Sequence, residues 1–435
     1  MSAEELKGRV RKAIRRRAKE IVKIGDQIFK RPELGFKEFE TAKLVQQTFK
    51  KLGLPYESEV AITGVIANLE GNSRGPKISV MGELDSVLCY SHPYADKVTG
   101  AVHACGHNAQ IAAMLGVAMG FVDARVMEEL PGAISFMAVP AEEYVEIEYR
   151  LRLRDEGKIK FLGGKQEFIR LGKMNSVDMT VKHHTRSGKL ERKVWIGATN
   201  NGFVGKAIRY RGREAHAGGA PEKGINALNA AMLGIMGIHT LRETFRDGDH
   251  IRVHPIITRG GDLVNIIPAD VRIETYVRGK TTDAILEASR KVNRALKGGA
   301  MTVGAKVEIE EIPGYLPLKN DPEMSKIFGE NARQILGKAA VKQDEHRTGS
   351  TDTGDISAIM PAIEPSITGA TETGHGSDYK IADKEMCYII PAELMAMTVI
   401  DLLYDDAAKA RRVVKAFKPE IKRQEYVRYW ERLLQ

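Results

Sequence analysis

The chain has 435 residues, 43% of them hydrophobic and 28% charged, the balance of a globular protein rather than of a disordered or membrane-embedded one. That length exceeds what one hydrophobic core usually serves and predicts two domains, or one domain carrying an insertion. The net charge of +9 and pI near 9.2 raise nucleic acid or an anionic membrane as partners, but the excess sits in two local runs, 7–23 and 415–428, that read as solvated faces. Neither run alternates basic and aromatic residues as a single-strand binder does, which argues against nucleic acid.

The basic N-terminus lacks the apolar segment of a secretory signal, and no uninterrupted apolar stretch is read as long enough to span a bilayer. Cys89, Cys105 and Cys387 form no even framework, so a reducing compartment, the cytoplasm, is expected.

In chain order, periodicity predicts a helix through Phe29, a break at Arg31-Pro32-Glu33-Leu34-Gly35, and a second helix over 38–52 that stops at Gly53. Two glycine-bounded apolar runs, 63–69 and 77–81, read as strands. The second leads into Gly82-Glu83-Leu84-Asp85, which puts two carboxylates at a strand's C-terminal end, where open α/β sheets build their sites. Residues 109–122 read as a buried helix and 132–140 as a buried strand ending in Pro140-Ala141-Glu142-Glu143. Alternating strands and helices imply a mixed, largely parallel sheet covered on both faces.

From about 196 to 315 the pattern changes to strand 203–211, helix 224–245, strands 250–258 and 271–277, helix 282–296 and strand 305–312. This βαββαβ order is the split, ferredoxin-like unit, inserted whole into the first domain. The expected boundaries are therefore 1–195 with 316–435 for one discontinuous domain and 196–315 for the insert.

Chemistry-bearing residues cluster near these strand ends. In His103-Ala104-Cys105-Gly106-His107-Asn108 a thiol and an imidazole stand two residues apart at the start of a helix, which suits a zinc-like metal and equally a small buried cysteine beside a hydrogen-bonded histidine. Glu142 and Glu143 can divide the work of binding metal and moving a proton, or be a solvated turn. His183, His184 and His375 are each weak alone, and it is their accumulation with Cys105, His107 and Glu143 that points to a metal site. In the insert, His216 lies in a glycine-rich turn, while Asn265 and Arg278 offer an amide and a guanidinium to a carboxylate or are a turn asparagine and a surface arginine.

Pro32-Glu33-Leu34-Gly35, Glu83-Leu84-Asp85, His103 to His107, Pro140 to Glu143, Ala215-His216-Ala217-Gly218-Gly219-Ala220-Pro221, Asn265-Ile266-Ile267-Pro268 and Gly349 to Asp355 together resemble the metallohydrolase family of aminoacylases, carboxypeptidase G, aminobenzoyl-glutamate hydrolases and indole-acetyl-amino-acid hydrolases. The resemblance runs from Arg31 to about Asp383. It implies a zinc-peptidase-like catalytic domain and a lid that also dimerises. It also implies Cys105, His107, Glu143, His184 and His375 as metal ligands, with His184 favoured over His183, and Glu142 as general base. His216 resembles the histidine that enters the partner subunit's site to stabilise an oxyanion, Asn265 and Arg278 the substrate-carboxylate contacts, and Asp85 a carboxylate that supports the ligands.

Asn108 and Gln110 stand where the commoner pattern carries an aspartate and a histidine, and Glu83 where it carries an aspartate. The neutral Asn108 and Gln110 lower the negative charge near the ligands and leave one or two ions per subunit, manganese or zinc, open. The expected activity is cleavage of the amide C–N bond of a small N-acyl amino acid, amino-acid conjugate or dipeptide through metal-activated water. Two alternatives are hydrolytic deamination of an electron-poor aromatic amine and a non-catalytic metal-binding scaffold. The expected partners are a small-molecule substrate and a second copy of the chain in a homodimer or larger assembly, with no nucleic acid and no membrane.

Overall fold

The computed structural model describes residues 1–434, which divide into two compact units. Unit 1 comprises Met1–Thr199, Lys319–Glu345 and Asp355–Val427; unit 2 comprises Asn200–Leu318, His346–Gly354 and the residues from Arg428 onward.

Unit 1 opens on α1, Ala3–Arg16, whose first turn is closed by a capping box between Ser2 and Glu5. The single helix expected through Phe29 is in fact two, because Arg17 leaves helical geometry (φ −89°, ψ 3°) before α2, Ala18–Phe29. The Arg17 guanidinium is held at that corner by both carboxylate oxygens of Asp123, at 2.8 and 3.0 Å. Next come α3, Phe39–Lys51, and the strands β1, Tyr56–Val60, β2, Gly64–Glu70, and β3, Lys77–Glu83. Helix α4, His107–Ala124, buries 16 of its 18 residues, so it is apolar on every side and lies in the core. It is followed by β4, Ala133–Val139, a short helix α5, Gly164–Arg170, and β5, Met179–Val181.

The main sheet runs β1-β2-β4-β3-β5 and ends on a short strand at Ala362–Ile363. Its first two pairings are antiparallel and the remaining three parallel, a mixed α/β sheet. Within the parallel part β3 and β4 run in register to their ends, with Glu83 opposite Val139, and β5 lies on the other side of β3. Three chain segments therefore leave the sheet side by side at one edge: Glu83 to Asp85, Pro140 to Glu143, and Lys182 to His184.

The helix Ile390–Ala416, interrupted at Tyr404–Ala407, packs into the same core. Contrary to the sequence reading, the stretch Glu385–Ala416 is long and apolar enough to cross a membrane, with mean hydropathy 1.7 over its best window. That window is wholly buried, so its apolarity serves the core of unit 1.

Unit 2 contains β6, Gly202–Arg211, α6, Ala227–Thr240, two short strands β7, Arg252–Val253, and β8, Ile256–Arg259, then β9, Asp270–Gly279, α7, Thr282–Val303, and β10, Lys306–Tyr315. The strand expected over 250–258 is split around His254-Pro255, because proline has no N–H for the ladder. Strand order is β7-β9-β6-β10, with β8 also paired to β9. Val271, Ile273 and Val277 alternate inward against α6 and α7, packing with Ala230, Val292 and Leu296. By the period of two, Glu274, Tyr276 and Arg278 emerge on the opposite face.

Candidate metal centre

The edge where the three segments emerge is built around Gly106. This residue caps α4 with φ 91°, and a Cβ there would lie 2.7 Å from the Thr185 Cβ and 2.8 Å from the Tyr379 hydroxyl. Only glycine fits both the left-handed backbone and the close approach, which sets Cys105 and His107 on either side of the turn. Gly82 has a related role: a Cβ would stand 3.0 Å from the Gln110 backbone, so its absence lets α4 settle onto the end of β3.

Donor atoms converge here from four parts of unit 1. Cys105, His107 and His184 form one set whose ligand atoms all lie within 4.8 Å of one another, and Cys105, Glu143 and His375 form a second. The Cys105 Sγ is 3.5 Å from His184 Nε2, and His375 Nε2 is 3.4 Å from Glu143 Oε1. His107 Nε2 stands 3.8 Å from Glu142 Oε2 and 3.9 Å from Glu143 Oε1. All five residues that resemble metal ligands are thus brought together, with Glu142 beside them. Of the two adjacent histidines, His184 joins Cys105, whereas His183 is fully buried and both of its ring nitrogens lack a hydrogen-bond partner.

Supporting groups hold these side chains in place. Asp85 accepts from His107 Nδ1 at 3.1 Å through one carboxylate oxygen and from the Glu143 N–H at 2.8 Å through the other, so one carboxylate orients two candidate ligands. The loop carrying Glu142 and Glu143 contains Ala141 in the left-handed region, φ 54°. Its N–H is taken by Glu38 at 2.8 Å. The buried Arg150 donates to the carbonyls of Leu162, at 2.7 Å, and of Glu143. His375 also sits at positive φ, 62°, with its N–H on the Ala104 carbonyl at 2.9 Å. Two non-glycine residues in that region at one site mark backbone strain held by the surrounding structure.

Asn108 is placed differently from its neighbours. Its amide donates to the Gly25 carbonyl and the Tyr388 hydroxyl, both at 3.2 Å, so it joins α4 to α2 rather than reaching the donor cluster.

The electrostatics suit a cation. Burial and the Glu143 charge push the Cys105 thiol up, but His375, His184 and His107 outweigh them and bring it down to about 6. Burial would depress His184, yet the neighbouring Cys105 raises it above the usual range. Burial likewise raises Glu143, but His375 chiefly holds it well below the ordinary carboxylate range. His107 Nε2 and Glu143 Oε1 are buried and, among the described residues, have no hydrogen-bond partner. Buried polar atoms left unpaired are costly, and a divalent ion satisfies both. One thiolate sulfur, three imidazole nitrogens and a carboxylate are a donor set that fits zinc or manganese.

Three contributors escaped the sequence reading: Lys165 and Lys182, each fully buried and paired with Glu83, and Arg150. A lysine or arginine bears no mark in the periodicity that distinguishes a buried, paired side chain from a solvated one.

The remaining site candidates lie in unit 2. His216 is exposed, and its Nδ1 accepts the N–H groups of Gly218 and Gly219 at 3.1 and 2.9 Å, which leaves the ring proton on Nε2. Asn265 is adjacent, because its carbonyl accepts the Ala217 N–H at 2.8 Å. Arg278 stacks 5.5 Å from the ring centroids of both Phe203 and Tyr276 and donates to the Ser350 hydroxyl at 3.1 Å.

Comparison with known proteins adds context to this geometry. The profile of Peptidase family M20/M25/M40 matches residues 80–396. The chain is similar to the Xaa-Arg dipeptidase of Mus musculus, 26% identical over 343 residues that cover 76% of this chain and 73% of the relative. It is also similar to the IAA-amino acid hydrolase ILR1-like 4 of Arabidopsis thaliana, 25% identical over 355 residues that cover 78% and 75%. Among solved structures, the YXEP protein of Bacillus subtilis, described as a dinuclear metal binding peptidase, superposes with TM-score 0.63 at 22% identity and covers 89% of this chain and 98% of its own.

Proposed function

Given that the chain belongs to Peptidase family M20/M25/M40, and is therefore a metal-dependent amidohydrolase, we propose that it cleaves the amide bond of a small N-acyl amino acid, amino-acid conjugate or dipeptide. The observation that carries this reading is the convergence of Cys105, His107, Glu143, His184 and His375 beside Glu142 at one sheet edge. The relatives that act on a dipeptide and on an amino-acid conjugate support the same substrate class.

A divalent ion on these donors, zinc or manganese, one or two per subunit, supplies Lewis-acid polarisation of the carbonyl and acidifies water. The chain's own groups do the rest. Glu142, largely buried at the mouth of the cluster, takes the proton of the attacking water and returns it to the departing nitrogen. His216, with its Nε2–H free of the turn that holds Nδ1, donates to the developing oxyanion. Asn265 and Arg278 hold the substrate carboxylate, and the aromatic stack and Ser350 limit where the guanidinium can move.

Residues 1–195 with 316–435 are the catalytic domain in this reading and 196–315 a ferredoxin-like lid, a reading supported by the β7-β9-β6-β10 order with two helices on one face. A homodimer is supported by the exposed apolar side chains of Met232, Leu233 and Met236 on α6 and of Ile256 and Ile257 on β8. The expected location is the cytoplasm.

The test is hydrolysis by metal-stripped protein, with and without added Mn²⁺ or Zn²⁺, across N-acyl amino acids, dipeptides and activated aromatic amines. Metal-restored release of amine from an amide supports the proposal. Ammonia released only from the aromatic amines replaces it with deamination.

A further inference from the structure

We propose that Glu83 is a further carboxylate ligand of the metal centre, sharing with His107 the ion that His107 binds. The inference rests on the proposed metal-dependent reading and extends its ligand set by one residue.

Glu83 is fully buried at the end of β3, and its lone-pair directions can be accounted for. One carboxylate oxygen, Oε1, accepts from Lys165 Nζ at 2.5 Å and from Lys182 Nζ. The other, Oε2, accepts from Gln110 Nε2 at 2.7 Å. A carboxylate offers about four lone-pair sites, so three are taken and one is left. The remaining one faces His107 Nε2 at 3.0 Å.

His107 does not supply a donor for it. The Nδ1 of that ring faces two acceptors, the Asp85 carbonyl at 3.0 Å and Asp85 Oδ1 at 3.1 Å, and so carries the proton. Its Nε2 is buried without a hydrogen-bond partner, and the 3.0 Å approach to Glu83 Oε2 lacks hydrogen-bond geometry. A buried ring nitrogen left unpaired is costly, and a cation held between it and the Glu83 oxygen satisfies it. Glu142 completes the arrangement: the ligand atoms of Glu83, His107 and Glu142 lie within 4.8 Å of one another.

The surrounding charges explain how a further carboxylate is tolerated in a dry site. Lys182 also pairs with Glu364 at 2.8 Å, so Lys165 and Lys182 balance Glu83 and Glu364, and Glu83 adds a donor oxygen without adding net charge. The glutamine at 110 and the glutamate at 83 act together, the amide aiming Oε2 at the ion.

The decisive experiment is a crystal structure of the wild-type protein loaded with Zn²⁺ or Mn²⁺, located by anomalous scattering. It needs no variant to fold. The expected result is an ion within about 2.0–2.2 Å of both Glu83 Oε2 and His107 Nε2. An ion on Cys105, His184 or His375 that stays out of reach of Glu83 overturns this inference and leaves the proposed function standing, whereas failure to bind any ion overturns both. As a second readout, Zn²⁺ affinity by chelator competition should fall about tenfold or more in Glu83→Gln, and an unchanged affinity counts against coordination.

Discussion

Replacing Lys182 with methionine tests whether the cluster behind the metal centre is a dry ion network. Burial by itself lowers the Lys182 pKa, but Glu364 and Glu83 outweigh it and raise it, so the ammonium is retained. Methionine keeps the length and apolar volume of the stem and removes only the charge. The loss leaves Glu364, 7% exposed, and Glu83, fully buried, short of a counter-charge, although Glu83 keeps Lys165 and Gln110. Breaking a buried pair from one side costs about 3–5 kcal/mol, a large part of the roughly 5–15 kcal/mol that holds a typical protein folded. Urea unfolding followed by circular dichroism in EDTA should show a midpoint lowered by on the order of 1 M. The double replacement Lys182→Met with Glu364→Met should regain most of the loss, because an apolar pair replaces the ion pair. A single-variant loss below about 1 kcal/mol would mean that water reaches the ammonium, and a double variant no better than the single would refute the pairing.

Glu142→Gln should bind metal with wild-type stoichiometry, measured by elemental analysis, and lose about 10²–10⁴-fold in kcat, since only proton transfer is removed; full turnover would sink its assignment as base. His216→Ala should keep its metal and lose activity. Mixed with inactive Glu142→Ala under conditions that exchange subunits, it should regain measurable activity if a site is completed by two copies, and a flat mixing curve argues against sharing. Glu38, buried on the Thr63 hydroxyl at 2.6 Å, is raised to about 8 by burial and by the Asp85 charge. The folded state therefore holds a proton that the unfolded chain releases above about 4.5, so this contribution is complete below 4.5 and is lost as pH rises through 8. Thermal unfolding of Glu38→Gln between pH 5 and 9 should show a flatter decline than wild type, and parallel curves would refute the shift.

Much of this protein can be read along the chain. The helix at 107–124, the strands that end at Glu83 and Val139, and the alternation of β9 follow from local pattern, because burial on one face or on all faces is written as a period. The donor residues were legible too, since thiol, imidazole and carboxylate beside glycine turns are a chemical signature even before they meet. What local pattern cannot supply is the meeting itself. Parallel register sets Glu83 level with Val139 and so sends Asp85 and Glu143 out side by side, and His375 reaches Glu143 from more than two hundred residues downstream. The choice of His184 over His183 is of the same kind: one lies on Cys105 and the other is fully buried without a hydrogen-bond partner for its ring, a difference set by tertiary contacts. Lys165, Lys182 and Arg150 look like solvated cations in sequence, because a charge declares itself buried only through partners distant along the chain. The hydrophobic 390–416 segment shows the converse: its composition alone suits a bilayer, and only its packing inside unit 1 assigns it to a core. Composition and periodicity act over a few residues and decide which elements form; register, close approach and charge compensation act across the whole chain, and they decide that these elements enclose a site.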